Sequence, residues 1–167
     1  FPIVRILRYR EPIGPLPVTS TFAPASGPIG CLTILAARHA GAAEIVATDI
    51  ADRTLDIARR MGASVTLNTL SHADALDPYK VDKGQFDVSF ECSGHPKAVA
   101  DTIASTRPRG RIVQVGIGGT DMPIPINAIV AKELELCGTF RFHEEFQWAV
   151  DLLGSGRIDV SPLHSAT

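Results

Sequence analysis

The stretch Ala25-Ser26-Gly27-Pro28-Ile29-Gly30, followed at once by the mostly apolar residues 31–40, is where this chain concentrates residue types suited to holding an anion. It keeps the second and third glycines of the spacing G-x-G-x-x-G, with Ala25 in the first position. In that pattern the first glycine makes a tight turn, the second lets backbone approach a pyrophosphate, and the third lets a helix pack on a strand. A helix that starts there presents free N–H groups and a positive dipole end to phosphate oxygens. Ordinary turns are also glycine-rich, so the loop alone is weak evidence. Asp49 strengthens it. It closes the β-branched run 44–49, nineteen residues after Gly30, where a carboxylate can accept hydrogen bonds from a ribose diol. The competing reading of Asp49 is a plain strand-end or helix-cap acid. An acid at that place repels a 2′-phosphate and so favours NAD over NADP. Arg53 either lies over an adenine face or solvates a helix, and both readings stand. A methyl group at Ala25 crowds a turn suited to glycine, at a cost of about 1 kcal/mol or more. Restoring glycine there is expected to strengthen NAD binding or raise the melting temperature.

These residues need a scaffold that brings loops together, and the order of elements supplies one. From Ile29 onward strand-like runs alternate with helix-like stretches, the mark of βαβ units and a parallel sheet. The strands are expected at residues 44–49, 64–67, 86–92, 111–115 and 134–140, several of them continuous apolar runs of the kind buried on both faces. Asp52 is expected to cap a helix whose Leu55, Ala58 and Met61 share one face and whose stop is Gly62. Pro96 suits a first helical turn, with Val99 and Ile103 inward and Pro108 and Gly110 ending the element. Phe146, Val150 and Leu153 form an i, i+4, i+7 stripe stopped by Gly154, which reads as core packing.

Composition narrows the functional classes. The chain has 167 residues, 45% of them hydrophobic and 20% charged, enough to bury one domain's core. A net charge of −2 without a cluster of lysine or arginine argues against a nucleic-acid partner or an anionic membrane surface. No apolar run approaches the length of a bilayer span, and no secretion signal is visible. Cys31, Cys92 and Cys137 are odd in number and widely spaced, which fits a reducing cytoplasm rather than a disulfide framework.

Five linked motifs resemble one family. Gly27-Pro28-Ile29-Gly30-Cys31, Ala47-Thr48-Asp49, Glu91-Cys92-Ser93-Gly94, Val113-Gln114-Val115-Gly116 and Leu136-Cys137-Gly138-Thr139-Phe140-Arg141 are similar to the medium-chain zinc-dependent alcohol dehydrogenases. Within them the sorbitol, xylitol and L-idonate 5-dehydrogenase branch is the nearest in pattern. The resemblance runs from about Ser26 to Leu163 and covers only a coenzyme-binding domain. It implies an α/β Rossmann fold, a doubly wound parallel sheet of six strands. It also implies NAD as cofactor, with Ser26, Gly27, Pro28, Ile29 and Gly30 on the pyrophosphate and Asp49 on the ribose, beside Ile50 and Arg53. Cys92, Ser93 and Gly94 would border the adenine half. Val115, Gly116 and Ile117 would lie near the nicotinamide and offer it backbone groups. Phe140 and Arg141 would reach the cofactor's reactive end and a small polyol or sugar-acid substrate; core packing for Phe140 and a strand-end charge for Arg141 remain alternatives.

The same resemblance shows what to expect elsewhere. The family's zinc ligands come from a separate N-terminal domain, so no catalytic or metal residue is assigned here and zinc is expected only in a full-length parent. His143-Glu144-Glu145 reads as a surface helix start. Residues 1–24 read as an atypical segment: six of the chain's twelve prolines fall within residues 1–28, and Pro24 would remove a ladder donor from a central first strand. The expected division is therefore 1–24 as a foreign N-terminal piece and 25–167 as the dinucleotide domain, with the first strand the one element the sequence does not support. Three readings follow: half of a polyol or sugar-acid dehydrogenase that is inactive alone, a stand-alone nucleotide-binding module, and a zinc-free reductase. An edge strand near residues 134–140 leaves a homo-oligomer open.

Overall fold

The computed structural model describes residues 20–24, 27–142 and 144–164. Their strands are β1 (Ser20–Pro24), β2 (Glu44–Asp49), β3 (Val65–Asn68), β4 (Phe86–Glu91), β5 (Thr106–Gln114) and β6 (Glu135–Gly138). All pair in parallel, in the order β3-β2-β1-β4-β5-β6. The helices are α1 (Pro28–His39), α2 (Asp52–Arg60), α3 (Pro96–Ser105), α4 (Ile126–Lys132) and α5 (Glu145–Gly154). This is the expected doubly wound Rossmann sheet. Successive strand residues alternate between two cores. Ala23, Ile45, Ala47 and Val113 pack with Ala36 and Ala37 of α1 and Ala58 of α2. Phe22 and Val46 pack on the opposite face with Leu76 and Phe86, and Ile112 packs there with Val99 and Ile103 of α3 and Leu134. Being buried on both faces is why these strands read as apolar runs.

The first strand forms after all, at the centre of the sheet, inside the segment the sequence set apart. Pro24 is tolerated because it is the last residue of β1. On the β4 side the register is recorded only at Thr21 and Phe22, while on the β2 side it runs on to Pro24 opposite Thr48. Phe22 and Ala23 are fully buried, so burial on two faces outweighs a weak local signal.

Three other boundaries differ from the sequence reading. Asp52 is the first residue of α2 rather than its cap; the cap is Ala51, without a side-chain bond, and Asp52 instead accepts from Asn68 Nδ2 at 2.6 Å. The helix α3 stops at Ser105 and β5 begins at once, its residues 107–110 looping out between the pairs Phe86–Thr106 and Val88–Arg111. Arg109 takes a left-handed conformation there, with φ 60°. The stripe on α5 is not core: Phe146 is 55% exposed and Val150 and Leu153 are also exposed, whereas Glu145 and Ala149 are buried. Glu145 is therefore not the surface residue expected of it, and His143 lies outside the described residues.

Thr21 Oγ1 is buried and has no hydrogen-bond partner among the described residues. An orphaned hydroxyl costs stability that a methyl group of the same shape would not. Thr21→Val is expected to raise unfolding stability by about 1 kcal/mol, read as a higher urea midpoint at an unchanged slope.

Candidate functional site

A parallel sheet delivers every strand's carboxyl end to one edge. From β1 the chain winds outward through β2 and β3, then returns to β4 and winds the other way. The connection after β1 enters α1 on one face and that after β4 enters α3 on the other. Ligands enter the crevice at such a reversal.

Gly27 caps α1 there with no side-chain bond, Pro28 follows at the first helical position, and the first turn carries no acid. The Cys31 amide donates to Gly27 O at 2.8 Å, while the amides before it belong to the unpaired start of the helix. A β-carbon on Gly27 would meet nothing within 4 Å among the described residues. The space beside this glycine is open, and the fold itself does not require glycine there. Ser26 lies outside the described residues, as does Ala25 with the expectation attached to it.

The pairing of Pro24 with Thr48 sets Asp49 one residue past the end of β1, beside this turn. Asp49 Oδ1 accepts the amides of Ile50 at 2.8 Å and Ala51 at 2.9 Å. Those two bonds fix the carboxylate, and Oδ2 accepts no hydrogen bond among the described residues. Ile50 and Arg53 are exposed beside it, Arg53 on the first turn of α2.

Across the crevice, Cys92 turns its thiol inward. Its Sγ lies 3.7 Å from Thr33 Oγ1 on α1 and packs against the core. Only its backbone remains at the edge. Burial pushes the Cys92 thiol up to about 12 and, with the nearby Asp49 charge, Cys31 to about 11. At pH 8 about one Cys31 in a thousand is a thiolate, and fewer for Cys92. Both are expected to resist iodoacetamide at pH 8 in the folded chain and to react within minutes in urea, followed by mass spectrometry.

Ser93 and Gly94 pack directly on the turn after β5. Gly94 has φ 69°, and a β-carbon there would strike the backbone of Ile117 and Gly118; one on Gly116 would strike Ser93 and Gly94. The amides of Val115 and Gly116 both donate to Glu91 O at 2.8 Å, and Gly116 O accepts from Gln114 Nε2 at 2.8 Å. The two amides and the Gly116 carbonyl are thus engaged within the protein. The Ile117 side chain in this turn is 72% exposed.

Phe140 and Arg141 follow β6, which is shorter than expected, so both leave the sheet. Phe140 is 71% exposed rather than packed in the core, and the Arg141 guanidinium carbon stands 5.1 Å from its ring centroid. Phe142 is exposed beside them and stacks obliquely on Phe146 at 5.3 Å. The structure therefore gathers residues 27–30 with Asp49 on one wall and residues 93–94 with 116–117 on the other. It leaves Phe140 and Arg141 beyond β6. Sequence reasoning assigned no role to Glu91 or Gln114, which join the strand ends of the second wall. The signal was present in part: β4 carries two acids, Asp87 near its start and Glu91 at its end, and Glu91 is the one that is fully buried.

Comparison with known proteins adds a consistent set of similarities. The pattern described as zinc-binding dehydrogenase matches residues 28–155. The chain is 42% identical over 172 residues to L-idonate 5-dehydrogenase (NAD(P)(+)) of Escherichia coli K12, covering 97% of this chain and 50% of that protein. It is 33% identical over 152 residues to sorbitol dehydrogenase of Arabidopsis thaliana, covering 88% and 42%. The crystal structure of the Escherichia coli L-idonate 5-dehydrogenase superposes with a TM-score of 0.83 at 45% identity, over 90% of this chain and 43% of that one. A zinc-binding dehydrogenase of Sinorhizobium meliloti 1021 bound to NADP superposes at 0.77 with 27% identity, over 86% and 43%. The chain spans about half the length of the curated relatives it matches. A match covering 97% of the chain reaches into residues 1–24 as well.

Proposed function

Because the chain belongs to the zinc-binding dehydrogenase family, we propose that it is the NAD-binding half of an oxidoreductase acting on a secondary alcohol of a polyol or sugar acid. The observation that carries this reading is the open glycine turn at the start of α1, set at the reversal of strand order beside the fixed carboxylate of Asp49. A dinucleotide fits that arrangement. The unpaired amides of the first turn of α1 take the pyrophosphate, and the space at Gly27 lets the backbone reach it. The free oxygen of Asp49 takes the adenosine ribose, with Ile50 and Arg53 beside the base. The Ile117 backbone and side chain meet the nicotinamide end, with Phe140 and Arg141 toward the substrate. Once bound, the nicotinamide accepts or returns the hydride; the chain's part is to bind and orient it.

A zinc ion does not fit the residues present. Among the described residues no three His, Cys, Asp or Glu side chains gather as a ligand set, and no step is derived through a metal. In the proposed reading both the metal and much of the substrate site belong to the part of the relatives that this chain does not span. The exposed face Phe142, Phe146, Val150 and Leu153 would meet that part. A second copy would meet the free edge of β6, where Leu136 is exposed. No helix among the described residues is long and apolar enough to cross a membrane, and a cytoplasmic location goes with three cysteines outside any disulfide.

Calorimetric titration of the chain with NADH and NADPH, beside assays of sorbitol, xylitol and L-idonate with and without zinc, tests the proposal. Saturable NADH binding without turnover is expected. Absence of binding would overturn the cofactor assignment, and steady NADH production would overturn the division of labour.

A further inference from the structure

Glu91 is fully buried at the end of β4, and both of its side-chain oxygens are hydrogen-bonded. Its Oε1 accepts from the Ser93 amide at 2.8 Å and from Ser93 Oγ. Its Oε2 accepts from the Gly94 amide at 2.8 Å and from Gln114 Nε2. Its backbone carbonyl takes the amides of Val115 and Gly116. One residue therefore holds the turn after β4 with its side chain and the turn after β5 with its carbonyl. Gln114 links the two again by donating to both Glu91 and Gly116 O. The turns are also in backbone contact, so neither can shift without the other.

A sheet does not need this. Parallel pairing of β4 with β5 ends at Glu91 opposite Gln114, and the apolar clusters are complete without a carboxylate. Burying an ionisable group is costly unless its oxygens are satisfied. Here the satisfaction comes from amides that would otherwise be free to reorient at the rim of the crevice. We propose that Glu91 is a positioning residue for the dinucleotide: it sets turns 93–94 and 115–118 as one rigid wall, with Ile117 aimed at the crevice. The inference rests on the reading that this edge binds a dinucleotide. A binding wall held to within a fraction of an ångström by buried hydrogen bonds spends no binding energy on being ordered.

Glu91→Gln keeps the size of the side chain but turns one acceptor into a donor facing donors, either Gly94 N–H and Gln114 Nε2 at one oxygen or the Ser93 N–H at the other. The wall loosens, and the Kd for NADH is expected to rise about tenfold or more. Leu76→Ala is the control. Leu76 packs with Phe22, Val46 and Phe86, away from the strand ends, so it lowers the melting temperature while leaving the NADH Kd within about twofold. Gln114→Met removes only the outer link. It is expected to raise Kd severalfold with little change in melting, and it decides the matter if Glu91→Gln does not fold. The readouts are NADH fluorescence titration and thermal melting of the whole chain. No NADH binding by the unaltered chain would sink the dinucleotide reading itself. Binding by the unaltered chain with an unchanged Kd in Glu91→Gln, or in Gln114→Met where that decides, would sink only the role of Glu91. So would an equal loss in Leu76→Ala.

Discussion

Gly27→Val is expected to abolish measurable NAD binding while lowering the melting temperature by no more than about 4 °C. The small stability effect follows from the open space around Gly27 and from its φ of −57°, which any residue adopts. What is lost is a favourable helix cap, worth about 1 kcal/mol or less. The large binding effect follows from the use proposed for that space. Two methyl groups beside the first turn of α1 occupy the path by which a pyrophosphate reaches the amides, and a loss of at least about hundredfold in affinity is expected. Gly116→Val is the mirror experiment. A side chain there collides with the backbone of Ser93 and Gly94, so it should destabilise the chain by about 3 kcal/mol or more before binding enters. Calorimetry and thermal melting on the two variants separate a glycine kept for a ligand from one kept for the fold. Equal loss of stability in both would remove the functional argument from Gly27.

The second large effect is cofactor choice at Asp49. Its carboxylate is pinned by the Ile50 and Ala51 amides, so it cannot swing away from a 2′-phosphate. NAD is expected to bind at least about tenfold more tightly than NADP, about 1.4 kcal/mol, because a fixed acid facing a phosphate repels it. Asp49→Ser removes the repulsion while keeping a small oxygen for the two amides, and should narrow the gap to about twofold. The proteins similar to this chain make the experiment pointed: one carries both cofactors in its name and another is bound to NADP. Equal affinity for the two cofactors in the unaltered chain would take Asp49 out of the ribose site.

Local signals carried much of the fold. Residues 45–47 are an apolar run closed by Asp49, residues 86–92 set β-forming apolar residues at alternate positions before Ser93-Gly94, and Pro96 and Gly62 mark helix ends by backbone chemistry alone. The first strand was illegible because nothing local supports it. Only its neighbours β2 and β4 make a strand of Ser20–Pro24. The α5 stripe was misread for a general reason: a helical period shows that a face is apolar but not what covers it. Phe146 and Val150 are exposed in this chain, and Glu145 is the buried residue. At the site, the roles proposed for Gly27, Gly30 and Asp49 were legible because anion and ribose chemistry restricts residue type at fixed spacing. The role of Glu91 was not, since its partners are mostly backbone amides that only the folded turns bring within reach.

The most direct test of a dinucleotide crevice at the carboxyl edge of the sheet is an amide-resolved NMR titration of the 15N-labelled chain with NAD. The account predicts saturable shifts confined to residues 27–31, 49–53, 93–94 and 115–118, with the amide of Ile117 among the largest. Shifts absent at saturating NAD, or gathered on α5 or along β6 with residues 27–31 silent, would contradict it.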